Sequence, residues 1–201
     1  MRPLLNIILI AMLWFPGSAL AGEPLTVIQQ TVDRVIQVLE NRQDSTKLTA
    51  VDRQAIHEIV DRHFDFREMS KRSMGSTWKA IDKAQRQKFV PVFQELLEQN
   101  YGNRLAGFTG QTVSYGEVKV DGKRAKVETE IDNEGKPIPV QYSLYNNGSN
   151  WLVYDINIEG VSLVATFRSD FRTIFKKDGF DGLLAQLHEK IETLKSQDAS
   201  G

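Results

Sequence analysis

The sequence contains no cysteine and only three histidines in 201 residues. Without cysteine the chain has no disulfides and no thiolate for catalysis or metal binding. His57 and His63 are six residues apart, whereas two metal ligands on one helical face need a spacing of three or four, and His188 lies far along the chain. We therefore predict no metal site and no cofactor.

Catalytic motifs are also missing from the sequence. The serine in Gly160-Val161-Ser162-Leu163 lacks the second glycine of a nucleophile elbow, and no glycine-rich phosphate loop occurs. Asp155 and Glu159 lie on one predicted strand and are about 13 Å apart by strand rise, which is too far for a glycosidase pair. We predict no catalytic residues, although a lone Asp155 acting as a general base in a small-pocket α+β enzyme stays open as an alternative.

The chain has no large excess of charge of either sign, and beyond its N-terminal stretch it has no long apolar run. Its net charge of −1 gives no reason to expect a nucleic-acid partner. At the N-terminus, Arg2, an apolar stretch over residues 4–15 and the small residues of Ala19-Leu20-Ala21 have the order of a secretory signal peptide. We expect residues 1–21 to be cleaved and residues 22–201 to form one exported domain.

Helical periodicity dominates the first part of that domain. Apolar residues recur every three or four positions after Pro24, and capping boxes at Thr49 with Asp52 and at Asp82 with Gln85 predict the starts of two further helices. Pro91 lies inside the last of these helices. Because the apolar period resumes in phase beyond it, we expect a bend rather than an end.

Four strand-like runs follow, separated by Asp121-Gly122, residues 132–136 and Asn147-Gly148. Residues 150–177 then change period: the alternation of a strand up to Ile158 gives way to an amphipathic helix that begins at Val161. After Gly179 a last apolar stripe predicts another helix. The fold class is therefore α+β, with a bent four-stranded antiparallel meander and helices packed on one side around an apolar pocket.

Three long segments, in this order, resemble the MlaC family of toluene-tolerance or Mla-type periplasmic phospholipid carriers. They are FDFREMSKRSMGSTW, QRQKFVPVFQELLEQNYGNRL, and WLVYDINIEGVSLVATFRSDF with GFDGLLAQL behind it. The resemblance covers residues 25–195. Thr166-Phe167 departs from the Asn-Tyr that such proteins commonly have before the arginine.

The resemblance implies a single lipid-binding domain in the periplasm that encloses the acyl chains of a phospholipid. It further implies shuttling between an outer-membrane lipoprotein and porin complex and an inner-membrane ABC transporter with a lipid-binding ring protein, which maintains outer-membrane lipid asymmetry. A ligand-free envelope interaction protein with a filled core is the other alternative, since apolar stripes usually form ordinary core.

We expect the pocket wall to come from the long helix, the last two strands and the helix after them. The predicted wall residues are Phe93, Leu97, Tyr101, Tyr142, Leu144, Tyr154, Ile156, Ile158, Val161, Val164, Phe167 and Phe171. Two basic clusters are candidates for docking an acidic partner surface, because exposed charge raises encounter rates. They consist of Arg67, Lys71 and Arg72, and of Arg168, Arg172 and Lys176.

Overall fold

A computed structural model describes residues 23–200, so the predicted signal peptide lies outside the described residues. The helices are α1 (Pro24–Asn41), α2 (Ala50–Asp61), α3 (Phe66–Met74), α4 (Lys83–Ala106) and α5 (Leu163–Ser200), and a 3-10 turn at Gly75–Lys79 follows α3. The strands are β1 (Thr112–Asp121), β2 (Arg124–Asn133), β3 (Lys136–Asn146), β4 (Trp151–Ile158) and β5 (Val161–Ser162). None of the helices in the described part of the chain combines the length and the apolar character needed to cross a membrane.

Both predicted capping boxes form. The side chain of Thr49 accepts from the amide of Asp52 while Asp52 accepts from the amide of Thr49, and Asp82 and Gln85 make the same reciprocal pair at the start of α4. Helix α4 continues through Pro91. Local side-chain chemistry therefore sets the starts of α2 and α4, as the sequence predicts.

The strands form one antiparallel sheet in the order β1-β2-β3-β4-β5. Along β2 the side chains of Ala125, Val127 and Thr129 are buried, while Lys126 and Glu130 between and beside them are exposed. The sheet therefore has one apolar face, which the helices cover, and one face toward solvent, as is common for antiparallel sheets.

Residues 63–65, between α2 and α3, tie the helices to this sheet. The amide of Val153 donates to the carbonyl of His63 (2.8 Å), and the amide of Asp65 donates to the carbonyl of Val153 (2.9 Å). The carboxylate of Asp65 also caps α3 by accepting from the amide of Glu68 (2.8 Å), and the hydroxyl of Tyr145 donates to it. Burial and the bond to Asp65 raise the pKa of Tyr145 to about 12.

The structure has a fifth strand where the sequence predicts the first turn of a helix. Glu159 and Gly160 have φ angles of 51° and 86°, and they form a tight turn that pairs Ile158 with Val161 and Asn157 with Ser162. Positive φ at both central residues is the signature of a type I′ hairpin. The meander is thus five-stranded, and Val161 belongs to β5 because the turn returns the chain along β4 before α5 begins.

Gly179 divides α5 into two helical parts. Its φ of 70° and ψ of −165° are not helical, and the chain changes direction there. Apolar residues on both sides of it, including Phe171, Phe180, Leu183 and Leu187, are buried in the same cluster as residues of α3 and α4. The kink therefore lets one continuous helical segment pack both of its halves on one core.

Replacing Gly179 by alanine should destabilise the protein by about 1–3 kcal/mol, since its φ and ψ lie in a region that side chains with a Cβ rarely adopt. Urea unfolding followed by circular dichroism measures the change. Gly107→Ala is the matched control, because Gly107 has a negative φ of −73° and should change stability little. Equal stability of the two variants would contradict this account of the kink.

His63 contributes a pH-dependent contact between α1 and the sheet. The hydroxyl of Thr31 donates to the carbonyl of Val27 (2.7 Å), so its oxygen is left to accept from Nδ1 of His63 at 2.6 Å. Burial, with smaller contributions from Arg34 and Arg62, lowers the pKa of His63 below its usual value of 6.5. The folded state therefore takes up a proton less readily than the unfolded state.

A lowered histidine pKa costs no stability above the unfolded pKa and costs increasing stability as the pH falls below it. The free energy of unfolding should therefore decrease as the pH falls below about 6.5, and His63→Gln should reduce that decrease. His188→Gln, on the exposed face of α5, is the control. A pH profile that is identical for wild type and both variants would show that His63 does not contribute.

Candidate functional site

A cavity of about 530 Å³ lies between the apolar face of the sheet and helices α2, α3 and α4. This volume is within the range of about 300–1,000 Å³ that is typical of small-molecule sites. Most of the lining side chains are apolar, and they come from four helices, from the linkers beside them and from three strands. The apolar members are Leu48, Ile56, Val60, Phe64, Phe66, Met69, Leu97, Tyr101, Leu105, Phe108, Ile131, Ile138, Val140, Ile156, Ile158 and Leu163.

The cavity exists because α1 packs on only part of the sheet. Ile28 of α1 is buried against Val127, Leu144 and Val153, at the end of the sheet near the β2–β3 pair Ala125 and Leu144. Farther along the same strands, Ile131 pairs with Ile138, and these residues face the cavity instead. The apolar face of the sheet is therefore shared between α1 and the cavity.

Polar side chains of α2 and α4 line the cavity at one side. Arg53 and His57 are one helical turn apart on α2, and Nδ1 of His57 lies 2.7 Å from Oε1 of Glu98 on α4. One turn beyond Glu98, at Gly102, an added Cβ would lie 2.7 Å from Nη1 of Arg53. The two helices therefore run past each other in opposite directions with charged groups in the seam between them.

Arg104 lies at the same side of the cavity. Its guanidinium carbon is 5.3 Å from the centre of the Tyr101 ring, within the range of a cation–π contact. Burial raises the pKa of Tyr101, and the charge of Arg104 partly opposes this effect. Tyr101 therefore stays neutral, with its ring between the apolar interior and the charged rim.

Arg42 holds the segment that closes the cavity after α4. Its guanidinium donates to the carbonyl of Leu105 (3.3 Å), to that of Phe108 (2.7 Å) and to that of Ser45 (2.6 Å). Leu105 and Phe108 line the cavity and pack on Leu39, Leu48 and Ile56. A cation beside the carbonyls at a helix C-terminus is a stabilising arrangement, so Arg42 fixes this wall.

Four of the twelve residues predicted for the pocket wall line this cavity: Leu97, Tyr101, Ile156 and Ile158. Phe93, Val164, Phe167 and Phe171 lie instead in the core between α4 and α5. There the Phe93 ring is 5.5 Å from Phe171 and 5.2 Å from Phe167, and both Phe93 and Val164 are almost completely buried. These aromatic residues hold the two helices together behind the cavity.

The remaining four predicted wall residues lie away from the cavity for reasons of sheet geometry. Tyr142 and Leu144 are on the apolar face but at its α1 end. Val161, in β5, is 61% exposed. A β-bulge makes Ser143 pair with Asp155 and Leu144 pair with Val153, so Tyr154 is an extra residue. The bulge places Val153 and Ile156 on one face, and Tyr154 stacks under Arg72 at 3.9 Å instead.

Several lining residues were not among those predicted from the sequence. Ile131, Ile138 and Val140 follow the same alternation as Tyr142 and Leu144, so the strand pattern contained a signal for them. Ile56 and Val60 lie on the helix whose start the capping box at Thr49 predicts. No sequence pattern indicates that Phe64, Phe66 and Met69 contact this cavity, because they come from a short helix and the linker before it, whose directions depend on contacts with β4.

Asp155 has a structural role at the start of α5. Its carboxylate accepts from the hydroxyl of Ser162 (2.6 Å) and from the amide of Val164 (3.1 Å), and Ser162 in turn accepts from the amide of Ala165 (3.1 Å). A carboxylate at a helix N-terminus is stabilising. Asp155 does not line the cavity, and the residues that the structure describes contain no cluster of histidine and carboxylate side chains able to hold a metal ion.

The two predicted basic clusters meet where α3 packs against α5. Nε of Arg168 donates to the carbonyl of Arg72 (2.8 Å). Lys71 and Arg72 form ion pairs with Glu68, at 3.0 and 2.9 Å. Arg172 and Lys176 are exposed one and two turns beyond Arg168 on α5. We refer to these residues together with Arg67 as the basic face.

The chain was compared with known proteins. The family model described as MlaC protein matches residues 29–189. The toluene tolerance protein ttg2D of Pseudomonas putida is 30% identical over 181 residues, which cover 87% of this chain and 83% of that protein. The intermembrane phospholipid transport system binding protein MlaC of Haemophilus influenzae is 23% identical over 197 residues, covering 92% of this chain and 90% of that protein.

A solved structure has the same fold. The phospholipid-binding protein from Ralstonia solanacearum, solved in complex with a phospholipid, aligns with a TM-score of 0.81 at 26% identity, over 87% of this chain and 99% of that one. Together with the family model, which covers most of the described residues, these findings establish that the chain belongs to the MlaC protein family.

Proposed function

We propose that the protein is a phospholipid carrier that holds acyl chains in the cavity between the sheet and helices α2 to α4. The observation that carries this proposal is the cavity itself, whose interior is apolar and whose charged groups are gathered in the α2–α4 seam. A lipid has the same division between acyl chains and headgroup. The relative named for intermembrane phospholipid transport and the lipid-bound structural neighbour support the same assignment.

A carrier is needed because a diacyl lipid cannot leave a membrane for water on a useful timescale. Each methylene exposed to water costs about 0.8 kcal/mol, so the total cost grows with the whole chain length. Transfer from a membrane complex into an apolar cavity avoids most of this cost, since the methylenes move between two apolar surroundings. The carrier therefore needs a cavity and docking partners, and no chemistry on the lipid.

The place of action that fits this role is the periplasm, reached by cleavage of the predicted signal peptide. There the protein shuttles lipid between an outer-membrane lipoprotein and porin complex and an inner-membrane ABC transporter with a lipid-binding ring protein, and so maintains outer-membrane lipid asymmetry. The name of the Haemophilus influenzae relative, which refers to an intermembrane phospholipid transport system, supports this part of the proposal. The ligand-free alternative requires a filled core, and the cavity argues against it.

Docking to an acidic partner surface is assigned to the basic face. On this face Glu68 already neutralises part of the charge of Lys71 and Arg72, so the field comes mostly from the other exposed cations, Arg67, Arg168, Arg172 and Lys176. Exposed charges speed encounter while adding little to residence time. This property suits a carrier that must leave each partner after transfer.

Protein purified from its natural compartment should contain diacyl phospholipid. Organic extraction followed by mass spectrometry measures the lipid, and native mass spectrometry of the intact protein gives the amount bound per chain. A preparation that contains no lipid and takes none up from vesicles would contradict the carrier proposal.

Filling the cavity should remove lipid without unfolding the protein. We expect Ile138→Trp, on the cavity face of β3, to reduce bound lipid strongly with little change in melting temperature. Val164→Trp should instead destabilise the protein by about 1–3 kcal/mol, because Val164 is tightly packed core. Val120→Trp, at an exposed position of β1, is the control for adding a tryptophan. Unchanged lipid content in Ile138→Trp would place the acyl chains elsewhere.

Reversing charge on the basic face should slow transfer and leave lipid binding intact. We expect Arg172→Glu with Lys176→Glu to transfer lipid to inner-membrane vesicles several-fold more slowly than wild type at low salt, and the difference should shrink as salt screens the charges. Lys123→Glu with Lys126→Glu, exposed on β2 and its turn, makes the same change in net charge. If both pairs slow transfer equally, net charge and not the basic face is responsible.

A further inference from the structure

We propose that Met69 forms the closed end of the cavity and thereby sets the longest acyl chain that the protein carries. This inference rests on the carrier function proposed above. Among the described lining residues, all those with a charged or imidazole side chain come from α2 and α4. The lining residues from α3, β4 and α5 are apolar, and Met69 of α3 is one of them. A lipid whose headgroup stays at the charged side therefore has the methyl ends of its acyl chains toward Met69.

Helix α4 shows the order of these surfaces along the cavity. Phe93 is completely buried in the core between α4 and α5, and Leu97, one turn later, lines the cavity and is still buried. Arg104 lines the charged side and is exposed. The helix rises by about 10 Å between Leu97 and Arg104. The cavity therefore begins at the core and opens toward the C-terminal end of α4.

The closed end consists of residues that belong both to the cavity wall and to the buried core cluster of α3, α4 and α5. These residues come from all three helices, and all are buried: Phe66, Met69, Leu97 and Leu163. Phe93 and Val164 belong to the same core cluster, are almost completely buried and do not line the cavity. Because a close-packed core has no space for further atoms, a chain that reaches these residues cannot extend beyond them.

Met69 separates the cavity from this core most completely. Its side chain is 1% exposed, the lowest value of the four. Phe66, by contrast, stacks on Phe64, another lining residue, with ring centroids 6.1 Å apart, so this pair forms a side wall. Methionine is unbranched and fills irregular gaps in a core. Shortening Met69 should therefore open space that is continuous with the cavity.

The limit on chain length follows from the cost of a methylene that has no place in the cavity. In a vesicle every methylene already has apolar surroundings, so a chain that fits moves into the cavity with little change in free energy. A methylene that does not fit must contact water, which lowers uptake roughly fourfold for each such group. Uptake should therefore be nearly constant up to a limiting length and fall steeply beyond it.

The test uses delipidated mature protein and fluid vesicles that contain equal amounts of phosphatidylglycerols with two identical acyl chains, from lauroyl to lignoceroyl. Extraction and mass spectrometry give the amount of each lipid bound to the protein relative to its amount in the vesicles. For wild type we expect similar uptake of the shorter lipids and a steep fall beyond one length. Uptake by wild type that shows no such limit would overturn the inference while leaving the carrier function standing.

Met69→Ala should move this limit to longer chains by up to about three chain atoms, the length of the side chain that is removed. Uptake of the lipid just beyond the wild-type limit should rise about tenfold. Met74→Ala is the matched control, because Met74 lies on the same helix and in the same core cluster, is also 1% exposed and does not line the cavity. It loses the same atoms and should keep the wild-type limit.

Leu163→Ala opens the same end of the cavity from α5 and should move the limit in the same direction, so the test does not depend on the folding of one variant. Circular dichroism identifies the variants that are folded. An equal shift in Met69→Ala and Met74→Ala would assign the limit to general loosening of the core and overturn the role of Met69. An unchanged limit in folded Met69→Ala or Leu163→Ala would also overturn it. Wild-type protein that takes up no lipid of any length would overturn the carrier function itself.

Discussion

The structure depends on one constraint: the sheet has a single apolar face, and α1 packs on only one end of it. Ile28 closes that end against Val127, Leu144 and Val153. The other end, around Ile131, Ile138 and Ile158, is covered by helices that stand off from the strands, and a cavity results. Complete burial of this face by side chains would give a stable domain without a place for a ligand.

The helices that stand off from the sheet are held in place by contacts outside the cavity. The aromatic cluster of Phe89, Phe93 and Phe171 fixes α4 against α5, with ring centres 5.5 to 5.7 Å apart. On the opposite side, polar contacts hold the helices. The ring of His57 contacts the carboxylate of Glu98, and Arg42 donates to the carbonyls of Leu105 and Phe108 at the end of α4. The helices around the cavity are therefore held by a close-packed aromatic core on one side and by polar contacts on the other.

The sequence predicts much of the fold because local chemistry decides it. The capping boxes at Thr49 and Asp82 and the turns between strands are read directly from residue types. The hairpin at Glu159 and Gly160 was missed, because a non-glycine residue with positive φ gives no strong signal. The predicted α+β class and family are confirmed, with one strand more than predicted.

The candidate site is less predictable, since it depends on relations between distant elements. Simple alternation groups Tyr154 with Ile156, and only the bulge, which is set by pairing with β3, separates them. Phe93 and Phe171 have the pattern of a pocket wall, but they face each other rather than the sheet. Arg53 lines the site because α2 crosses α4 at Gly102, a contact between residues far apart in sequence.

Photocrosslinking shows where the acyl chains lie in the protein. A phospholipid with a photoactivatable group at the end of one acyl chain is loaded into the protein, irradiated, and the modified peptides are identified by mass spectrometry. If the acyl chains lie in the cavity, adducts should form on cavity residues such as Phe66, Met69, Ile138 and Val140. Adducts confined to the solvent face of the sheet or to the basic face would contradict it.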